Sequence, residues 1–386
     1  MVDDTKMNFK NPVIAAQVLE SPFVPDPIIG HTMPYGKDFI GENNYVGIDE
    51  MIAEIKNSKR KVILNMGDSS TSGWDSNIVT QNRERMAQGR PLAPAFFHYK
   101  TYSDYLRMMV KDKYVVINAG VPAHTSLQGY LRLKILLERF KKEEVDIQLV
   151  TLYYGNNDSV WDHNREDKEW VGKKPSILND ILKRIFKKKT HPSITTRVSP
   201  IDYKKNMRAM IETCKNYKLQ ACVIEPLTPL YWKPGTRVLN EDLERSNYPG
   251  SAFVYNLLDE GLSLWQQAKQ DTSYSPLKIS VFEQVRENDF VVPRIKKGHL
   301  AMLRSVARET KVPYLRVELD RTMDDIRYFI DYCHPIGDAN KHIAEKIFEI
   351  ISGAIVTYDA EETEAVQAKP SAPIKLELPT KHYTLY

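Results

Sequence analysis

Cysteine is scarce in this chain: there are three, Cys214, Cys222 and Cys333, an odd number with no CxxC spacing. A disulfide framework is not expected, and free thiols in a reducing, cytoplasmic compartment fit better. Long apolar runs are also missing. No stretch approaches the roughly 18 residues that a membrane-crossing helix needs, so no span is expected. The opening "MVDDTKMNFKNPVIAAQVLESPF" has acids near its start and no clear apolar centre, so it does not read as a signal peptide. Charge of one sign is lacking: 54 Lys and Arg face 50 Asp and Glu, a net +4 that gives no ground for a nucleic-acid partner. HExxH, paired CxxC and GxxxxGK followed by Ser or Thr are absent. No metal, nucleotide or redox cofactor is therefore assigned. No internal repeat is found.

What is present is a globular composition, 42% hydrophobic and 27% charged over 386 residues, enough for a sizeable core. Five short apolar runs stand out at 61–67, 114–120, 146–155, 219–226 and 312–319. Between and after them come helical patterns at 101–112, 126–140, 202–217, near 254–269, 295–311 and 338–352. Strands alternating with helices imply a parallel sheet covered on both faces, an α/β fold. Residues 1–60 carry few strong signals, with turns and short extended pieces expected around 25–36.

In an open parallel sheet, ligands bind beyond the carboxyl ends of the strands. The first strand runs there into Gly67-Asp68-Ser69-Ser70-Thr71, the second into Asn118-Ala119-Gly120, the third into Gly155-Asn156-Asn157-Asp158. Past the fifth lies Asp331-Tyr332-Cys333-His334-Pro335. A serine hydroxyl is a weak nucleophile and needs a base, and the base needs an orienting group. Ser69, His334 and Asp331 can fill these roles. The Ser69 N–H, the Gly120 N–H and the Asn157 side-chain amide can serve as oxyanion donors. As a helix cap Ser69 would account for itself, but not for His334, Asn157 and Gly120 at matching places. Asp68 and Asp158 read as loop braces, since a second buried charge beside the histidine is costly. Asn118 reads as a stitch between loops. His31, His98, His124, His163 and His299 show no ligand spacing, and Cys333 reads as a buried structural thiol.

These blocks resemble the SGNH (GDSL-type) hydrolases. Gly67-Asp68-Ser69 matches that family's nucleophile block, Gly120 its oxyanion glycine, Gly155-Asn156-Asn157-Asp158 its GxND block, and Asp331 to Pro335 its DxxHP block. The resemblance covers about residues 61–355. It implies a flavodoxin-like three-layer α/β/α sandwich with a five-stranded parallel sheet in the order 2-1-3-4-5. It also implies a metal-independent serine esterase mechanism. Two departures stand out: Ser70 follows the nucleophile where the common signature has leucine, and the chain is much longer than the common core. The competing GxSxG elbow is absent, because residues 67–71 lack the second glycine.

The expected organisation is an N-terminal extension over 1–60, a hydrolase domain over 61–355 and a poorly ordered tail over 356–386. Insertions at 75–100, 159–201 and 227–294 all begin on the proposed active-site side and are longer than ordinary loops, which suggests a cap. Within the cap, 175–189 reads as an amphipathic helix with a basic face. It packs on the cap core or serves as an interfacial lid. The expected activity is hydrolysis of a carboxylic ester, removing a small acyl group from a glycan or metabolite. An acyltransferase using the same acyl-enzyme and a non-catalytic binding module are the alternatives. Acyl length, alcohol and oligomeric state are not legible.

Overall fold

The computed structural model describes residues 24–26, 28–32, 35–36, 45–74, 88, 99–163, 166–169, 171–172, 194–235, 251–268, 276–289, 292, 294–319 and 327–353. The helix expected at 175–189, nearly all of the insertion at 75–100, His98 and the tail over 356–386 lie outside the described residues.

Along the chain the strands are β1 (Val24–Asp26), β2 (Gly30–Thr32), β3 (Tyr35–Gly36), β4 (Tyr45–Val46), β5 (Lys61–Gly67), β6 (Tyr114–Asn118), β7 (Ile147–Tyr153), β8 (Trp161–His163), β9 (Ile194–Thr196), β10 (Gln220–Ile224) and β11 (Tyr314–Leu315). The helices are α1 (Ile48–Ser58), α2 (Ser69–Ser72), α3 (Tyr102–Val110), α4 (Ser126–Lys142), α5 (Pro200–Asn216), α6 (Ser251–Ala268), α7 (Pro276–Asn288), α8 (Lys297–Thr310) and α9 (Asp338–Ile351). Among the described residues no helix is long and apolar enough to cross a membrane.

The main sheet runs β11-β10-β7-β5-β6-β3-β4. Its five parallel strands, β5, β6, β7, β10 and β11, take the order 2-1-3-4-5 that the family resemblance implies. Beyond β6 the sheet is extended by β3 and β4, an antiparallel pair that the sequence reading did not anticipate.

Alternation along the central strand β5 builds both cores. Val62, Leu64 and Met66 point to one face, where α1, α4, α5 and α8 supply Ile52, Leu133, Phe140, Met207, Ile211 and Leu303. Ile63 points to the other, where α3 and α9 supply Leu106, Val110, Ile343 and Ile347. Both faces are apolar because helices cover both. Leu64 is fully buried, so Leu64→Ala removes transfer energy and leaves a cavity, costing about 2–5 kcal/mol. Within residues 227–294, α6 and α7 share a smaller core of Val254, Tyr255, Leu258, Val281 and Val285. The parallel strands thus bring their carboxyl ends, and the polar loops that follow them, to one rim of the sheet.

Candidate active site

Strand β5 ends at Gly67, and Asp68 caps the single turn of α2 by accepting the Ser70 N–H at 2.9 Å. Ser69 opens that turn and is buried, 8% exposed. Its N–H has no acceptor among the described residues, as first-turn geometry dictates. Only glycine fits at 67, where a Cβ would lie 1.9 Å from Thr71 Oγ1 and 2.9 Å from the Tyr153 carbonyl oxygen. Gly120 is required for the same reason, since a Cβ there would lie 2.4 Å from the Ser72 nitrogen. Asn118 stitches the two loops: its Nδ2 donates to the Thr71 carbonyl at 2.7 Å, and its Oδ1 accepts the Gly120 N–H at 3.1 Å.

The base comes from the other end of the chain. Asp331 and His334 lie in a tight loop closed by a bridge between Phe329 and Pro335. One carboxylate organises it. Asp331 Oδ1 accepts the backbone N–H groups of Cys333 and His334, each at 3.0 Å, and Oδ2 accepts His334 Nδ1–H at 2.6 Å. The three-residue spacing allows this, because one side chain then satisfies both the turn and the ring. His334 Nε2 lies 2.7 Å from Ser69 Oγ. Anchoring from α9 holds the loop: Asn340 Nδ2 donates to the Pro335 carbonyl at 2.6 Å and the Lys100 carbonyl at 3.1 Å.

Asn157 reaches the nucleophile turn from the loop after β7. Its Nδ2 donates to Asp68 Oδ2 and to the His124 carbonyl, each at 3.2 Å. Burial pushes the Asp68 carboxyl up to about 6, against the pull of the Ser70 N–H and of His334. Asp158 accepts the Ser126 N–H at 3.0 Å at the start of α4, which fixes the loop, and burial pushes its carboxyl up to about 7. Both acids are therefore braces for their loops.

The structure thus joins Ser69, His334 and Asp331 by direct hydrogen bonds and brings Gly120 and Asn157 against the same turn. Of the three oxyanion donors read from the sequence, only the Ser69 N–H lacks an acceptor among the described residues. The other two meet acceptors of the protein itself. Asp331, Cys333 and His334 also place possible metal-ligand atoms within 4.8 Å of one another. The chemistry of the set suits a hydrogen-bonded pair better: His334 Nδ1 is spent on Asp331, and burial raises the Cys333 thiol well above its ordinary value. His31, His124 and His299 each direct Nε2 at a backbone carbonyl, of Pro122, His31 and Val198 respectively. Burial lowers all three, most strongly His124, so they are neutral packing residues. The side chain of His163 lies outside the described residues.

Sequence reasoning missed three features. Ser70 Oγ donates to the Cys333 carbonyl at 3.0 Å, tying the nucleophile turn to the base loop. Trp232 and Trp265 stand 6.0 Å apart, Trp232 meets the Tyr332 ring edge-on at 6.5 Å, and that ring lies 6.2 Å from the His334 ring. The third is Arg294, fully buried near Cys333. Their partners are distant in sequence, and no local motif marks them.

No protein-family profile matches the chain, and no curated protein matches it. Among solved structures it is similar to a GDSL-like lipase from Bacteroides thetaiotaomicron VPI-5482, with 13% identity, 80% of this chain and 98% of that chain covered, and a TM-score of 0.36. An acetyl xylan esterase is similar at 12% identity, covering 76% of this chain and 100% of that chain, with a TM-score of 0.32. So is an SGNH-hydrolase family esterase, at 13% identity, 77% and 98% coverage and a TM-score of 0.28. At these levels the likeness assigns no reaction to this chain.

Proposed function

We propose that this chain is a serine-dependent carboxylic ester hydrolase of the SGNH kind, working through an acyl-enzyme on Ser69. The observation that carries the reading is the continuous relay from Ser69 Oγ to His334 Nε2 at 2.7 Å and from His334 Nδ1 to Asp331 Oδ2 at 2.6 Å. With Nδ1–H donated to Asp331, the Nε2 lone pair faces the hydroxyl. As Oγ attacks the ester carbonyl, Nε2 takes its proton, and Asp331 stabilises the imidazolium. The tetrahedral oxyanion accepts the unpaired Ser69 N–H. Asn157 and Gly120 add donors by exchanging their present acceptors for it. Nε2–H then protonates the leaving alcohol, whose C–O bond breaks. A water, deprotonated by the same nitrogen, releases the acid and restores Ser69.

The proposed substrate is a small acyl group on a larger alcohol, a glycan or a metabolite. The aromatic row from Trp265 through Trp232 to Tyr332 supports this, since it places ring faces able to pack on a substrate next to His334. Three buried free thiols fit a reducing, cytoplasmic setting. Aryl and sugar esters of graded acyl length, assayed with Ser69→Ala as control, test the proposal. Release of acid that depends on Ser69 supports it. Transfer of the acyl group to added alcohols, read by mass spectrometry, makes the chain an acyltransferase. No turnover and no acyl-enzyme in folded protein leaves a binding module.

A further inference from the structure

Arg294 is fully buried, and none of its three guanidinium nitrogens makes a hydrogen bond among the described residues. A guanidinium carries five N–H donors in a rigid fork, and leaving all of them dry and unpaired is expensive. The segment that carries it is fixed to the candidate site. The Ile295 N–H donates to Asn156 Oδ1 at 3.0 Å, next to Asn157. Ile295 also packs on Gly155, where a Cβ would lie 2.4 Å from Ile295 Cδ1. On the other side the charge of Arg294 is felt by the Cys333 thiol, whose Sγ lies 3.8 Å from both ring nitrogens of His334.

Among the described residues, charge of both signs gathers around it. Arg286 and Lys296 are buried beside it, and Lys296 Nζ is held by the carbonyls of Arg286 and Asp289 at 2.6 Å each. Asp289, also fully buried, attracts Arg294 but gives its oxygens to the N–H groups of Gly235 at 2.7 Å and Val292 at 3.2 Å. Glu287 lies 3.5 Å from Arg286 Nε. Arg294 thus feels the attraction of Asp289 and Glu287 and the repulsion of Arg286, with no hydrogen bond to either carboxylate. Burial lowers the guanidinium only to about 10, so it stays charged at neutral pH.

We infer that Arg294 anchors an anion subsite beside Ser69 and His334, and that the ester this protein acts on carries a carboxylate. A carboxylate offers two coplanar acceptors matching the guanidinium fork. The inference deepens the ester-hydrolase reading and rests on it for substrate turnover, but not for anion binding.

Two matched ester pairs test it: mono-4-nitrophenyl glutarate against its methyl ester, with the charge on the acyl side, and 4-acetoxybenzoate against methyl 4-acetoxybenzoate, with the charge on the alcohol side. In the wild type, one pair favours its carboxylate member at least tenfold in kcat/KM. In Arg294→Gln that ratio falls close to one, and Arg294→Lys retains part of it. A wild-type ratio near one in both pairs, or a ratio untouched by Arg294→Gln, overturns the inference. A stronger preference for 4-acetoxyphenyl phosphate replaces the carboxylate with a phosphate and overturns the carboxylate assignment. A second readout needs no catalysis: glutarate raises the melting temperature of Ser69→Ala but not of Ser69→Ala/Arg294→Gln. If no ester is turned over while glutarate still stabilises in an Arg294-dependent way, the hydrolase reading fails and the subsite stands. Absence of that stabilisation sinks the subsite. Should Arg294→Gln not fold, Arg294→Lys carries both comparisons.

Discussion

Two buried polar clusters adjoin at the carboxyl rim of the sheet, and they differ in what the chain supplies to them. Around Ser69, acceptors are provided from within: Asp331 satisfies the His334 ring and two backbone N–H groups, and Asp68 serves Ser70 and Asn157. Around Arg294 the protein brings charge together and leaves the guanidinium unpaired. A closed network fixes geometry, which chemistry requires. An open one reserves its donors for something that arrives. On the proposed reading the first cluster is machinery, and the second confers selectivity.

Substitutions separate the two. Ser69→Ala and His334→Ala should each lower kcat by about 10⁴–10⁶ while circular dichroism stays native. Asp331→Asn should cost about 10²–10⁴ in kcat and also lower thermal stability, because Asp331 holds the loop as well as the ring. Arg294→Gln should collapse the preference for charged over neutral esters, mainly by lowering kcat/KM for the charged member of the pair.

Smaller effects sharpen the distinction. Burial raises the carboxyls of Asp68 to about 6 and Asp158 to about 7, above their value in an unfolded chain. The native state then binds more protons than the unfolded state between about pH 4 and 7. The stability these two groups contribute is fully present below about pH 4 and is lost as the pH rises through about 6 to 7. Asp158→Asn mimics the protonated form and should flatten the fall in melting temperature over that range. An unchanged slope would remove Asp158 from the titration. Ser70→Ala breaks the clasp to the Cys333 carbonyl and should cost about 1 kcal/mol of stability with a severalfold loss in kcat.

What could be read from the sequence follows the range of the forces involved. Asp331 and His334 were legible because their hydrogen bonds close within three residues, and Gly67-Asp68-Ser69 because a cap and its turn are local. The order of the parallel strands came with the family resemblance. The length of β11 did not: the run 312–319 suggested a full strand, but only Tyr314 and Leu315 pair. Its neighbour β10 aims the N–H groups of Val223 and Glu225 at β11, but the next in that row, Leu227, gives its N–H to the Tyr153 hydroxyl at 3.0 Å and the ladder stops. Helix α1 did carry a signal, with Ile48, Met51, Ile52 and Ile55 at helical spacing, masked by the turn-rich segment before it. The clasp between Ser70 and Cys333 spans 263 residues, and an unpaired Arg294 is a property of the whole environment. Neither leaves a local pattern.

The proposed chemistry requires Ser69 to be a nucleophile activated by His334. Incubating the folded protein with a fluorophosphonate and mapping the adduct by mass spectrometry probes this without knowledge of the substrate. One adduct is expected, on Ser69, lost in Ser69→Ala and strongly slowed in His334→Ala. An unlabelled Ser69 in natively folded protein, or labelling that proceeds equally well without His334, would refute it.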